Sequence, residues 1–404
     1  MFVLNILFLT IFNVVDLEQR DIYPDLLREF VRHSHKVTVV APAERRFKEE
    51  TNFKKYDGYN VLRVKIGNMQ KTNIIEKGIT TITLENKFLS AIKKYCSDTK
   101  FDLIMYSTPP ITFSKVIDYV KKRDGAKTYL LLKDIFPQNA VDLGMFSERS
   151  LFYKYFRQKE KKLYRTSDHI GCMSQANVDY VIKHNPYVNP EIVHVSPNSV
   201  DMQSDTIDKE NRQMIRNKYN IPEEAKAFVY GGNLGKPQGI PFLIKCLDAN
   251  TNRSDCFFVI SGTGTEYPKL KAYIDEEKPT NVLLINGLPK DEYEELVLAC
   301  DVGLIFLDHR FTIPNFPSRI LAYMQKKMPV IACTDPNTDM GRIITENNFG
   351  WWCESNDANK FTKLVDTALT SDLKSMGENG FEFLKDNYTV EQTYKIIADK
   401  IFKN

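Results

Sequence analysis

Short apolar runs separated by longer amphipathic stretches set the frame of this chain. In the first half the runs lie at residues 6–9, 37–40, 103–106, 129–132 and 169–172. Each is too short for a buried helix and fits a strand covered on both faces. Between them, residues 23–32, 87–95 and 112–122 repeat apolar positions at helical spacing. The pattern restarts after Pro197-Asn198-Ser199-Val200-Asp201, with buried runs at 227–230, 257–260, 282–285, 302–306 and 329–332. Helical spacing recurs at 209–218, 240–248, 267–276, 290–299, 318–325 and 389–402. Strands alternating with helices predict an α/β fold with two Rossmann-like, doubly wound parallel sheets. The expected division is 1–200, 201–385 and a last helix at 386–404, with a linker near 198–208.

Composition changes this picture little, but charge does. The net charge of +3 is too close to neutral for a nucleic-acid binder. Residues 1–200 carry 31 basic against 22 acidic side chains, a net of +9, and the remainder carries −6. Such asymmetry points to two domains with different partners, although chance variation of surface composition gives the same figures. The seven cysteines form no CxxC pair and sit mostly in apolar runs, which argues for buried thiols and a reducing, cytoplasmic compartment. The apolar start MFVLNILFLTIFNVV is short for a membrane span and lacks the basic leader of a signal peptide, so it reads as a first strand.

In open parallel sheets, ligands bind beyond the carboxyl ends of the strands, so the chemistry is sought in those loops. In the second half they contain Gly231-Gly232-Asn233-Leu234-Gly235-Lys236-Pro237-Gln238-Gly239, Ser261-Gly262-Thr263-Gly264 and Asn286-Gly287-Leu288-Pro289. Glycines let backbone amides approach an anion, and they also serve turns with positive φ. The long loop 307–317 leads into Pro317-Ser318-Arg319, where Ser318 is placed to cap a helix and Arg319 opens its first turn. A cation there is unfavourable against the helix dipole unless an anion is bound, and Arg grips phosphate bidentately; an exposed Arg without a task is the plainer alternative. Together these loops describe a nucleotide-diphosphate pocket. The first half has no GxGxxG, which argues against a nicotinamide cofactor. Its notable loop is Lys133-Asp134-Ile135-Phe136-Pro137-Gln138-Asn139. There Asp134 could orient or deprotonate an acceptor hydroxyl, with Lys133 and Asn139 beside it; a helix cap or a Lys–Asp surface pair fits the same residues.

The ordered set of motifs resembles the retaining glycosyltransferases of the GT-B fold, family 4. It comprises 229–239, 259–264, 287–304, 317–324 and 329–332, with Pro197-Asn198-Ser199-Val200-Asp201 similar to the family's interdomain "PNGVD" segment. Residues 133–137 resemble the "RDxWP" segment of the branch that builds bacterial capsule and O-antigen polysaccharides. The resemblance implies two domains facing a cleft, a last helix at 386–404 that crosses back to the N-terminal domain, a nucleotide sugar (UDP-linked) on the C-terminal domain and a polyprenyl-diphosphate-linked saccharide acceptor on the N-terminal domain. It implies sugar transfer with retention, without metal or other cofactor. Donor contacts are then expected from Gly232, Asn233, Gly235, Gln238, Gly262, Gly264, Gly287, Leu288, Pro317, Ser318, Asp339, Met340 and Gly341. Arg319 would stabilise the leaving phosphate, and Asp134, with Lys133 and Asn139, would serve the acceptor. The chain also departs from the pattern: the family's two glutamates fall on Pro314 and Ala322, and its first-loop Arg and Lys fall on Asn233 and Gln238. Those losses keep open a nucleotide-sugar epimerase of the same fold and a non-catalytic nucleotide-sugar-binding scaffold.

Residues 151–165, LFYKYFRQKEKKLYR, hold six basic side chains, one Glu and an apolar side. A basic amphipathic helix can lie on an anionic membrane surface, as can Arg45-Arg46-Phe47-Lys48; packing on the protein's own sheet with a solvated basic face is the alternative. The expected location is therefore the inner face of the plasma membrane, held peripherally.

Overall fold

The computed structural model describes residues 3–69, 72, 74–202 and 208–402. Part of the expected linker, 203–207, lies outside them. The chain divides into two compact units, Met1–Asp201 with Thr389–Asn404, and Met202–Tyr388.

In the first unit the strands are β1 (Asn5–Leu9), β2 (Lys36–Glu44), β3 (Asn52–Lys55), β4 (Tyr59–Ile66), β5 (Leu103–Ser107), β6 (Lys127–Leu132), β7 (His169–Cys172) and β8 (Val193–Val195). They form one sheet in the order β3-β4-β2-β1-β5-β6-β7-β8, parallel except for the β3–β4 pair. Side chains alternate between two apolar layers: Leu7, Leu9, Ile104 and Leu130 face one, and Ile6, Phe8, Met105 and Tyr129 the other. Covering both faces with helices explains why these strands read as continuous apolar runs. The strand β4 was not legible in the pattern because Arg63 and Lys65 interrupt it. Arg63 is nonetheless buried and donates through Nη1 to Val14 O (3.2 Å).

The second unit contains β9 (Lys226–Asn233), β10 (Cys256–Thr263), β11 (Val282–Ile285), β12 (Val302–Phe306), β13 (Val330–Thr334) and β14 (Gly350–Glu354), all parallel in the order β11-β10-β9-β12-β13-β14. The order reverses between β9 and β12, which makes the ends of those two strands the place where an open sheet leaves a crevice. All seven cysteines are buried and free.

The last helix, Val390–Phe402, packs on the first unit. Tyr394 stacks on His33 at 3.9 Å between ring centroids and its hydroxyl is 3.0 Å from His35 Nε2. Val200 and Thr389 form a parallel bridge at its start. No helix among the described residues is long and apolar enough to cross a membrane.

Ile397, wholly buried on this helix, tests the attachment. Ile397→Ala is expected to cost about 2–5 kcal/mol by leaving a cavity. Both tryptophans, Trp351 and Trp352, lie in the second unit. In urea the loss should therefore shift the far-ultraviolet circular dichroism transition and leave the tryptophan fluorescence transition in place.

Candidate functional site

In the second unit the residues at the β9–β12 crevice gather around Arg319. Its guanidinium lies over the Tyr230 ring, 4.3 Å from the centroid. Burial pushes the Tyr230 hydroxyl above its ordinary value and that of Tyr323 up to about 12, so both remain neutral. Arg319 Nη1 is shut off from solvent and has no hydrogen-bond partner. No carboxylate pairs with this guanidinium among the described residues. Gly232, with φ +124°, sits beside it: a Cβ there would stand 3.5 Å from Arg319 Nη2. A side chain at Gly232 would thus stand in van der Waals contact with the guanidinium, and its positive φ favours glycine.

The other glycines divide by cause. The strands β9 and β10 run on through Gly232 and Gly262, which are register partners, so these segments are strand ends rather than the expected free loops. A Cβ on Gly262 would meet Gly232 O at 2.0 Å, and one on Gly264 would meet Leu234 O at 2.3 Å. Close backbone approach accounts for both. Gly287 has φ +72°, the turn requirement, and Leu288 follows it, partly buried. Asn233 Nδ2 donates to Gln238 Oε1 (2.9 Å), which also accepts from the Gly235 amide (3.2 Å). The loop is therefore closed on itself, and the Gly235 amide is already engaged; so is that of Leu234, which donates to Thr263 O (2.8 Å).

The expectation that Ser318 caps the helix Arg319–Gln325 is corrected. Ser318 holds the N-cap position, but its hydroxyl makes no cap bond, because its backbone is already helical (φ −65°, ψ −12°) where a capping residue is extended. Pro317 and Ser318 are both partly buried beside Arg319. Asp339 precedes the helix Met340–Glu346; Met340 is core, its amide donates to Thr338 Oγ1 (3.3 Å), and Gly341 lies against the Trp352 ring.

In the first unit Lys133 and Asp134 follow β6, and the Thr108 hydroxyl after β5 accepts from both their amides (3.0 and 3.3 Å). They are not a surface pair. Lys133 Nζ donates to Ser196 O (2.9 Å), and Asp134 Oδ1 accepts from Asn139 Nδ2 (2.8 Å). Burial raises the Asp134 carboxyl to about 6 and pulls Lys133 down to about 7. Such displacement toward neutrality is what proton transfer near pH 7 requires.

Residues 25–204 match the family model described as Glycosyltransferase Family 4, and residues 211–383 match that of Glycosyl transferases group 1. The chain is a glycosyltransferase of the GT-B type. It is 25% identical over 321 residues to the probable glycosyltransferase WbjE of Pseudomonas aeruginosa, covering 79% of this chain and 78% of that one. Among solved structures it superposes on the sucrose-phosphate synthase of Thermosynechococcus elongatus (TM-score 0.78, 14% identity, 98% of each chain). It also superposes on Anabaena HepE in complex with UDP and glucose (TM-score 0.72, 15% identity, 99% of this chain and 100% of that one). At these identities the structural likeness is one of fold.

Sequence reasoning missed several residues of this glycosyltransferase. Tyr230 looked like strand core, and its role as the platform under Arg319 depends on a contact 89 positions away. Thr108, in the loop after β5, anchors the Lys133 and Asp134 amides. Asp335, which burial raises to about 6, lay in a stretch with no motif.

The raised Asp134 carboxyl has a stability consequence. Between about pH 4 and 6 the folded state holds a proton that the unfolded chain has released, so stability falls as pH rises and the cost is complete above pH 6. Asp134→Asn keeps the acceptor for Asn139 and removes that cost. The variant should exceed the parent at pH 7.5 by up to about 3 kcal/mol and match it at pH 4. Urea unfolding followed by circular dichroism at both pH values checks this; an advantage confined to low pH would contradict it.

Proposed function

We propose that the chain moves a sugar from a UDP-sugar bound to the second unit onto a lipid-linked saccharide acceptor bound to the first, in cell-surface polysaccharide synthesis and with retention at the anomeric carbon. The observation that carries the donor half is the buried Arg319 Nη1 without a partner, stacked on Tyr230 beside Gly232. An unpaired buried guanidinium donor is costly, and a diphosphate oxygen removes that cost. Support for UDP comes from fold relatives, since HepE is solved with UDP and glucose and a trehalose-6-phosphate protein of E. coli with UDP-2-fluoro glucose. Support for the acceptor class comes from WaaG, of the same fold (TM-score 0.65), which is involved in lipopolysaccharide biosynthesis.

In this reading the C1–O bond of the donor breaks and negative charge develops on the departing diphosphate, where Arg319 meets it. The acceptor hydroxyl attacks C1 from the face the diphosphate leaves. With the family's two glutamates replaced by Pro314 and Ala322, leaving-group stabilisation carries most of the catalysis. Asp134 orients the acceptor hydroxyl and, once ionised, takes its proton. Arg319→Ala is expected to lower transfer by roughly two to three orders of magnitude, the scale of one lost oxyanion donor. Turnover near wild type would remove the role. Incubation with a panel of nucleotide sugars and a polyprenyl-diphosphate-linked acceptor tests the reading as a whole. A glycosylated lipid is the expected product; an epimerised or free sugar made without acceptor, or binding without reaction, would replace it with an epimerase or a scaffold.

The first unit also carries the proposed membrane contact. The helix Leu151–Thr166 is packed by Leu163 and Tyr164 at its end, whereas at its start Leu151 and Phe152 are 81% and 70% exposed, with Tyr155 and Met145 also exposed. Exposed Arg149 and Lys154 flank this apolar tip, which combines insertion with attraction to anionic headgroups. In co-sedimentation with vesicles containing phosphatidylglycerol, Leu151→Ser/Phe152→Ser should bind several-fold less than the parent. Binding that ignores both this change and salt would exclude the contact.

A further inference from the structure

The loop that carries Arg319 is held by a second loop. Between β12 and the Arg319–Gln325 helix the chain runs through residues 307–318 with prolines at 314 and 317 and without strand or α-helix. The second loop follows β13 and begins at Asp335, which is fully buried. Asp335 Oδ1 accepts from the amides of Asn337 (2.9 Å) and Thr338 (3.2 Å), so the carboxylate closes a turn. That turn aims two side chains at the first loop. Asn337 Nδ2 donates to Phe311 O and Thr338 Oγ1 donates to Asn315 O, both at 2.6 Å. Behind the turn, Thr334 Oγ1 donates to Asp335 O (3.0 Å) and accepts from Trp352 Nε1 (2.8 Å), which ties it to the next strand, β14. On the braced loop, Asn315 Nδ2 is buried without a partner, and Arg319 Nη1, four residues on, is in the same condition. Two buried donors without acceptors on one stretch of chain are positions that a ligand's oxygens would fill.

We propose that Asp335 is a positioning residue of the donor site: through Asn337 and Thr338 it fixes the 307–318 loop so that Arg319 and the Asn315 side-chain amide both reach oxygens of the nucleotide sugar. The proposal rests on the donor-site reading above and adds to it a brace and a second contact. Asp335 touches no substrate; its effect is transmitted through two backbone carbonyls. Asp335→Asn retains an acceptor oxygen for the two amides, whereas Asp335→Ala opens the turn. Thr338→Val removes one strap and leaves the turn closed.

Titration calorimetry with UDP, alongside thermal melts, provides the test. Asp335→Ala and Thr338→Val should each weaken UDP binding about tenfold, and Asp335→Asn should recover most of that affinity. Because the brace acts through the loop that bears Arg319, combining Asp335→Ala with Arg319→Ala should weaken binding by less than the product of the two separate losses. Should Asp335→Ala fail to fold, Thr338→Val alone and combined with Arg319→Ala carries the same comparison. Unchanged affinity in the folded variants, or fully multiplicative losses, would overturn the proposal alone. A wild-type chain that binds none of UDP, GDP and ADP would fail the donor-site reading itself and take this proposal with it.

Discussion

A guanidinium buried against an aromatic ring, with one nitrogen unanswered, is the constraint on which the second unit turns. Stacking on Tyr230 returns on the order of 1–2 kcal/mol to the desolvated charge of Arg319. That is well short of what burying an unpaired charged donor costs. The surroundings are arranged so that the deficit lies beside open backbone: Gly232 withholds a side chain from the space next to Nη2, and neighbouring Tyr323 stays neutral. The sheet order places this group where β9 and β12 part. Glycines at 262 and 264 let the β10 end close onto β9, which keeps Tyr230 and Gly232 in register. In the proposed donor site, an oxygen of the bound diphosphate would take up the unanswered nitrogen.

The first unit solves a different problem. Lys133 and Asp134 are neighbours in sequence but part in space, one to the carbonyl of Ser196 and the other to the amide of Asn139. Because neither neutralises the other, burial drives both toward the middle of the pH range. A carboxyl so placed changes protonation state near neutrality, which an acceptor-side acid–base group needs and a structural ion pair would forbid. The excess of basic residues lies in 1–200, whereas the remainder of the chain carries a net −6.

The fold was largely legible because strands buried on both faces announce themselves as short apolar runs. The elements that escaped had a physical reason to. In β4, Arg63 and Lys65 break the run, yet Arg63 is buried by giving its protons to the loop at Val14 and to Glu49. In β9 and β10 the glycines continue the strands where free loops were expected, since a glycine required by strand approach looks the same in sequence as one that cradles phosphate. Ser318 carried the composition of a cap without its backbone conformation. Arg319 could be singled out from its position at a helix start, but its nitrogen without a partner and its stack over Tyr230 exist only in three dimensions. The same holds for Asp335, whose part is visible only in the bonds that its turn makes to another loop.

In the proposed donor site, Arg319 meets the diphosphate of the nucleotide sugar. A crystal structure of the chain with UDP bound tests it most directly. A phosphate oxygen is expected within about 3 Å of Arg319 Nη1, with the Tyr230 stack preserved. A diphosphate held elsewhere, leaving Nη1 still without a partner, would contradict it.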